Sequence, residues 1–296
     1  MEISRVEAQS KRIQQTFAWG MVVWHVWGTT ECADEAAKEA AKEAAENTHT
    51  DIVGPTSPRP IVLLHGGSGS WTHWVRNVEH FAQTRPVWAL DIPGFGDSDL
   101  PKGVSDADGL VSYVAEILTR SFQGEAIDVM GFSFGGMTAG LVAAQYPKII
   151  RQLILVGAPG LGLFDKVLPM RGMTTHMDLA ELRSVHRHNL NAMMLAHAES
   201  VTNETIDLQE SNVARDRLRR RRIARTDVLA KVQTQWTCPV HGVWGELDAL
   251  YKRTLQQVPT VLPKLATFTI VPDAGHWLMY ERPDAFHAAV DPLLIP

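Results

Sequence analysis

The sequence predicts an α/β fold: a mostly parallel, doubly wound sheet with an inserted helical cap. Three observations predict it. From Pro60 onward, short apolar runs alternate with helix-period segments, and that alternation calls for a sheet covered by helices on both faces. The alternation stops between about Pro159 and Trp236, where helical patterns follow one another without a convincing strand. It resumes at Val240 and continues to the carboxyl end. The expected organisation is a core of residues 1–158 and 237–296 with a cap at 159–236.

The elements follow in chain order. Met21 to Trp27 is rich in β-branched and aromatic residues and reads as an early strand. Asp34 to Glu46 is built from Ala, Glu and Lys, with Glu35/Lys38 and Glu39/Lys42 able to pair along one side. It offers no large apolar residue to a core, so residues 34–50 read as a surface insertion, which Pro55, Pro58 and Pro60 end. Ile61–Leu64 is then a strand, Trp71–Ala82 a helix, Val87–Leu90 a strand and Leu110–Thr119 a helix. The strand Ile127–Met130, the helix Phe134–Gln145 and the strand Leu153–Val156 continue the series. Within the cap the patterns Leu179–His197 and Glu204–Thr226 predict helices. The strand Val240–Trp244, a helix around Leu255, the strand Phe268–Val271 and the helix Pro283–Val290 complete the core.

Composition narrows the class of protein. Of 296 residues, 45% are hydrophobic and 21% charged, which suffices for a sizeable core. A net charge of -5 supplies no electrostatic reason to expect nucleic acid or an anionic membrane as partner. Cys32 and Cys238 are far apart and lack metal-ligand spacing, so they read as reduced thiols and no metal is expected. The apolar stretch Phe17–Trp27 is too short to span a bilayer, and no small-residue cleavage site follows it cleanly. A cytoplasmic protein is the expectation.

Chemistry enters at Gly131-Phe132-Ser133-Phe134-Gly135, between a strand and a helix. A strand turning sharply into a helix strains its turn residue and leaves no room for side chains beside it, which holds the hydroxyl of Ser133 proud of the sheet. A serine needs a base. His276 stands directly after the last predicted strand, in the turn Pro272-Asp273-Ala274-Gly275-His276-Trp277, which can present its ring inward. The base needs an acid to fix its tautomer. Trp244-Gly245-Glu246-Leu247-Asp248 supplies two, of which Asp248 is favoured over Glu246 by the order serine, acid, histidine. Asp273 is the rival, though it reads first as a turn-capping residue.

A developing oxyanion needs backbone donors, and His65-Gly66-Gly67-Ser68-Gly69-Ser70 follows the strand Ile61–Leu64. A glycine-rich loop can also cradle phosphate. Neither the Gly-Lys-Ser/Thr ending nor a dinucleotide fingerprint accompanies it. The amides of Gly67 and Phe134 are the candidate pair.

These segments, with Asp91-Ile92-Pro93-Gly94-Phe95-Gly96-Asp97-Ser98, stand in an order that resembles the α/β-hydrolase fold superfamily. The resemblance covers nearly the whole chain except the Ala-rich insertion. It implies a Ser133, His276, Asp248 triad, a hydrolytic acyl-enzyme mechanism and no cofactor. Within it the chain resembles the cap-bearing branch that includes carboxylesterases and the meta-cleavage-product hydrolases, which break carbon-carbon bonds; Gly275-His276-Trp277 and the cap phrase Val201-Thr202-Asn203-Glu204-Thr205-Ile206 look similar to the second group. Two departures separate the chain from the second group: Gly67-Ser68-Gly69 where a Gly-Pro-Gly element is usual, and Phe132 where asparagine commonly precedes the nucleophile. A serine in place of an aspartate nucleophile argues against dehalogenase and epoxide hydrolase chemistry.

The expected substrate is a small carbonyl compound, carboxylate-bearing if a cap arginine reaches it. Seven arginines fall between Arg215 and Arg225. On a helix of about 100° per residue, Arg217, Arg221 and Arg225 share a face opposite Arg215, Arg219 and Arg222. They read as a solvated surface; the sharper expectation is that Arg217 or Arg221 turns inward to a substrate carboxylate. Ser68, Phe132 and Trp277 complete the expected pocket. The leading function is a serine hydrolase of esters, with carbon-carbon hydrolysis or ligand binding on a hydrolase scaffold as alternatives.

Overall fold

The computed structural model describes residues 2–28, 58–164, 168–218 and 220–294. The expected 34–50 insertion lies outside them. Eight strands form one sheet: β1 (Lys11–Phe17), β2 (Gly20–Trp27), β3 (Ile61–Leu64), β4 (Val87–Asp91), β5 (Ile127–Phe132), β6 (Ile150–Val156), β7 (Val240–Gly245) and β8 (Leu265–Val271). Their order is β1-β2-β4-β3-β5-β6-β7-β8. A two-residue turn joins β1 to β2, so that pair is antiparallel, as is β2 with β4. All other neighbours are parallel.

The main helices are α1 (Glu2–Ala8), α2 (Val111–Ser121), α3 (Phe134–Gln145), α4 (Leu179–Asn189), α5 (Asn203–Ala214) and α6 (Pro283–Val290). Every residue of β3 is buried, so its side chains feed two cores. Val62 and Leu64 pack with Val114, Ile117 and Leu118 of α2 and Met137 and Leu141 of α3. Ile61 and Leu63 pack on the opposite face with Phe286 and Val290 of α6. Each such fully buried aliphatic contributes about 1.5–3 kcal/mol. Among the described residues no helix is long and apolar enough to cross a membrane.

Four expectations about local structure change. The amino terminus contains α1 and β1 in addition to the expected strand; β1 was hidden because only Ile13 and Phe17 mark its inward side, and exposed Lys11 and Arg12 guard the sheet edge. Trp71–Ala82 is not one helix but a 3-10 turn, Trp71–Trp74, and a short helix, Val78–Phe81. Buried Asn77 separates them by donating from Nδ2 to the Met279 carbonyl at 2.9 Å. The first cap helix stops at Asn189 and gives way to a wide turn, Leu190–Met194. At its end the Met194 carbonyl accepts from the Trp277 amide at 2.7 Å, and just beyond it the Ala196 amide donates to Glu281 at 3.1 Å. The expected Glu204–Thr226 helix ends at Ala214. A continued helix would stack Arg217, Arg221 and Arg225 at four-residue spacing, where like charges repel. The chain instead spreads out and gives Arg215, Arg217, Arg221 and Arg222 separate partners.

Between β6 and β7 the described residues form α4, α5 and shorter helical turns, with no strand. This stretch stands over the carboxyl ends of the parallel strands. There, the loops after β3, β5, β7 and β8 meet.

Candidate active site

Ser133 joins β5 to α3 with φ 49° and ψ -117°. A side chain normally avoids this region, at a cost of about 1–3 kcal/mol, so the surroundings must hold it. They do so by close backbone approach. The Ser133 amide donates to the Val156 carbonyl at 2.7 Å. A Cβ on Gly131 would sit 2.6 Å from the Gly136 amide nitrogen, and one on Gly135 would sit 2.4 Å from the Leu64 carbonyl oxygen. The glycines are therefore required by contact with the neighbouring backbone.

His276 follows β8 and Asp248 follows β7, and both are buried. His276 Nε2 lies 2.9 Å from Ser133 Oγ, and Nδ1 lies 2.8 Å from Asp248 Oδ2. A carboxylate only accepts, so Nδ1 carries the proton and Nε2 presents its lone pair to the hydroxyl. Asp248 Oδ1 is occupied by the Leu250 amide at 2.9 Å. Gly157, at φ 55°, passes beside this pair; a Cβ there would lie 3.2 Å from His276 Cε1. The two rival acids are engaged elsewhere. Glu246 accepts from the Asp273 amide at 3.0 Å, and exposed Asp273 binds Arg282 at 2.6 Å and His197 at 2.9 Å. Burial of Glu281 beside this loop also matters, since its carboxylate accepts from the Gly275, Ala196 and His197 amides at 2.7, 3.1 and 2.9 Å.

The loop after β3 is held from behind by two histidines. His65 Nδ1 donates to the Gly66 carbonyl at 2.7 Å while Nε2 accepts from the Ile92 amide at 3.0 Å. His73 Nδ1 accepts from the Gly66 amide at 3.1 Å. Burial drives the pKa of His65 down to about 3 and that of His73 well below its ordinary value, so both stay neutral and keep these roles. Gly67, Ser68, Phe132, Ser133, Phe134 and His276 line one cavity of about 1010 Å³. Phe134 opens α3, so its amide has no partner within the helix. Gly67 and Phe134 thus border the same cavity as Ser133.

The arginines divide. Arg221 lines the cavity, and its guanidinium binds Asp216, which also accepts from Ser68 Oγ at 2.6 Å. Arg217 is a correction: it turns away onto the loop after β4, donating from its side chain to the carbonyls of Ser98 and Gly96 and from its amide to Gly94. Those loop carbonyls supply the acceptors its guanidinium needs, away from the other cationic side chains on the cavity lining. Trp277 is the second correction. It is fully buried, stacks on Tyr280 and donates from Nε1 to the His73 carbonyl at 2.9 Å, so it braces the loops from the core side. Reading the run as one helix missed Arg220, Arg222 and Arg225 on the cavity wall, and Asp216 as the partner of Arg221. The lone aspartate within the arginine run, Arg215-Asp216-Arg217, is the signal that could have marked it. Arg219 lies outside the described residues.

Burial also predicts acid lability. His25 and His287 are pushed down to about 4 and His65 to about 3, mainly by desolvation, from an ordinary 6.5. Their folded-state values lie below the unfolded one, so the stability they contribute is present above pH 6.5 and lost as pH falls toward 4. Buried Asp91, pushed up to about 6, acts in the opposite sense between pH 4 and 6. These histidines, with His73 lowered in the same sense, outweigh Asp91, so the melting temperature declines from pH 7 to pH 4.5. Thermal melts across this range check it, and a flat or rising profile would contradict it.

A family model described as the alpha/beta hydrolase family matches residues 61–289. The ABHD5 protein of Rattus norvegicus, described as a 1-acylglycerol-3-phosphate O-acyltransferase, is 34% identical over 104 residues, covering 34% of this chain and 30% of that protein. The 2-hydroxy-6-oxo-2,4-heptadienoate hydrolase of Pseudomonas putida is 33% identical over 106 residues, covering 34% of this chain and 38% of the other. The matches thus span about a third of the length of these relatives. The naproxen esterase (carboxylesterase NP) from Bacillus subtilis superposes with a TM-score of 0.68 at 16% identity, covering 99% of this chain and 96% of that one. At that identity, the likeness shows a shared fold.

Proposed function

The chain belongs to the alpha/beta hydrolase family, and from that premise we propose that it is a serine hydrolase of esters or similarly activated carbonyl compounds. The observation that carries this reading is the unbroken line from Asp248 through His276 to Ser133, at 2.8 and 2.9 Å, ending at a serine on a strained turn. Ser133 Oγ attacks the carbonyl carbon as His276 Nε2 takes its proton. The carbonyl oxygen gains the negative charge and is held by the amides of Gly67 and Phe134. As the oxyanion collapses, the bond to the alkoxide breaks and His276 returns the proton to it. Water, deprotonated by His276, then attacks the acyl-enzyme, and Ser133 leaves with the proton. Asp248 stabilises the imidazolium in both halves. The route needs no cofactor. Residues 159–236 act as a cap that limits water and selects the substrate.

Carbon-carbon hydrolysis is the second reading, favoured by the similarity to the Pseudomonas putida hydrolase. Parallel assays on a short acyl ester and a dienoic keto acid separate the two. A fluorophosphonate probe separates both from a ligand-binding protein. Wild-type protein should be labelled on Ser133, and Ser133→Ala and His276→Ala should each lose labelling; a folded wild type that resists the probe would end the serine-hydrolase reading.

A further inference from the structure

Resting on the serine-hydrolase reading, we propose that this cavity selects substrates carrying an anionic oxygen group, carboxylate or phosphate, on an apolar body, and that Arg221, Arg220 and Arg225 bind that group. The cavity lining mixes two chemistries. Phe164, Leu168, Met170, Met193, Met194 and Leu250 are apolar. Arg220, Arg221, Arg222 and Arg225 also line it, and among the described residues no Asp or Glu does. In a chain whose net charge is -5, four guanidiniums around one cavity are a strong local departure.

Their partners show which charges are already balanced. Arg222 binds Asp106 at 2.6 Å, and Arg221 binds Asp216. Among the described residues, no carboxylate pairs with Arg220 or Arg225. Two positive charges on the cavity lining thus lack a carboxylate partner among the described residues, and a concave, partly apolar site concentrates their field.

Arg221 supplies the more specific observation. Its Nε is buried and has no hydrogen-bond acceptor, although a buried donor left unpaired costs about 1–3 kcal/mol. The same atom lies 3.2 Å from where a Gly67 Cβ would stand, directly against the loop expected to hold the oxyanion. The guanidinium also faces the rings of Phe95 at 5.2 Å and Phe134 at 5.8 Å. Asp216, which accepts from Ser68 as well, holds one nitrogen of the fork, Nη2. The guanidinium is left short of an acceptor, which an anionic oxygen group in the cavity would supply through charge-assisted hydrogen bonds.

The test measures binding without turnover, so it does not depend on which side of the scissile bond bears the anion. Hexanoate, hexyl phosphate and hexanol are titrated calorimetrically into Ser133→Ala at low and high salt. Either anion is expected to bind at least tenfold more tightly than hexanol, with the gap narrowing in high salt. Preference for hexanoate assigns a carboxylate and preference for hexyl phosphate a phosphate. Adding Arg221→Gln should reduce the anion preference about tenfold, and Arg221→Lys should restore part of it. Arg225→Gln, at an exposed position, should weaken both anions severalfold and serves if Arg221→Gln fails to fold. Equal affinity for hexanol and both anions, or no binding by any, overturns the proposal. So does an Arg225→Gln variant that leaves the anion preference unchanged. Failure of wild-type protein to react with the fluorophosphonate probe refutes the hydrolase reading separately, while anion binding by Ser133→Ala would stand.

Discussion

Asp248→Asn is expected to fold normally and to lose ester turnover by about 10⁴-fold. The size follows from hydrogen-bond direction as much as from charge. The Leu250 amide donates to Asp248 Oδ1 at 2.9 Å, so an asparagine would keep its carbonyl oxygen there. Its NH2 group would then face His276 Nδ1. That nitrogen would have to accept, which moves the ring proton to Nε2 and points a donor at Ser133. The base would be present in the wrong tautomer, and its imidazolium would have no counter-charge. Turnover and labelling by the fluorophosphonate probe should fall together, with an unchanged melting temperature at pH 7. A loss of less than tenfold would remove Asp248 from the mechanism and reopen the case for Glu246.

Gly135→Ala is expected to destabilise the protein by about 3 kcal/mol or more, although the same exchange inside an ordinary helix gains up to about 1 kcal/mol. The added methyl would meet the Leu64 and His65 carbonyl oxygens at 2.4 and 2.5 Å. Both are backbone atoms at the end of a central strand, so no side chain can swing aside. Relief must come from parting α3 and β3, which carries Gly67 away from Ser133. The melting temperature should drop by about 6–12 °C, and turnover in the surviving protein should fall about 100-fold. A variant that melts at or above the wild-type temperature would show that the strand and helix are not in the contact described here.

Sequence reading and structure agree where chemistry and periodicity coincide. β5, the turn at Ser133 and α3 are marked by an apolar run, two glycines and an Ala-rich stretch, and the strand ends after β3, β7 and β8 bring Gly67, Asp248 and His276 toward the same turn. What was hard to read depended on distant partners. The helix after Asn203 stops at Ala214 because Arg217 finds loop carbonyls more than a hundred residues earlier in the chain, which no local propensity records. Trp277 looked like a pocket residue from its place beside His276; successive residues in a turn point in different directions, and its indole went to the core. His65 and His73 are ordinary in sequence, and only their contacts with Gly66 reveal them as braces.

The extended stretch after α5 has a consequence for modularity. It touches the core through Ser68 to Asp216, Asp106 to Arg222, Asp97 to Arg215 and the Gly94–Ser98 carbonyls to Arg217. Every one of these pairs joins a residue before the insertion to a residue inside it. Exchanging the segment 159–236 with that of a relative would thus separate both members of several pairs at once and strand a buried carboxylate at Asp106. A working chimera would have to carry its own matching loops after β3 and β4, so the segment and those loops form one unit of exchange.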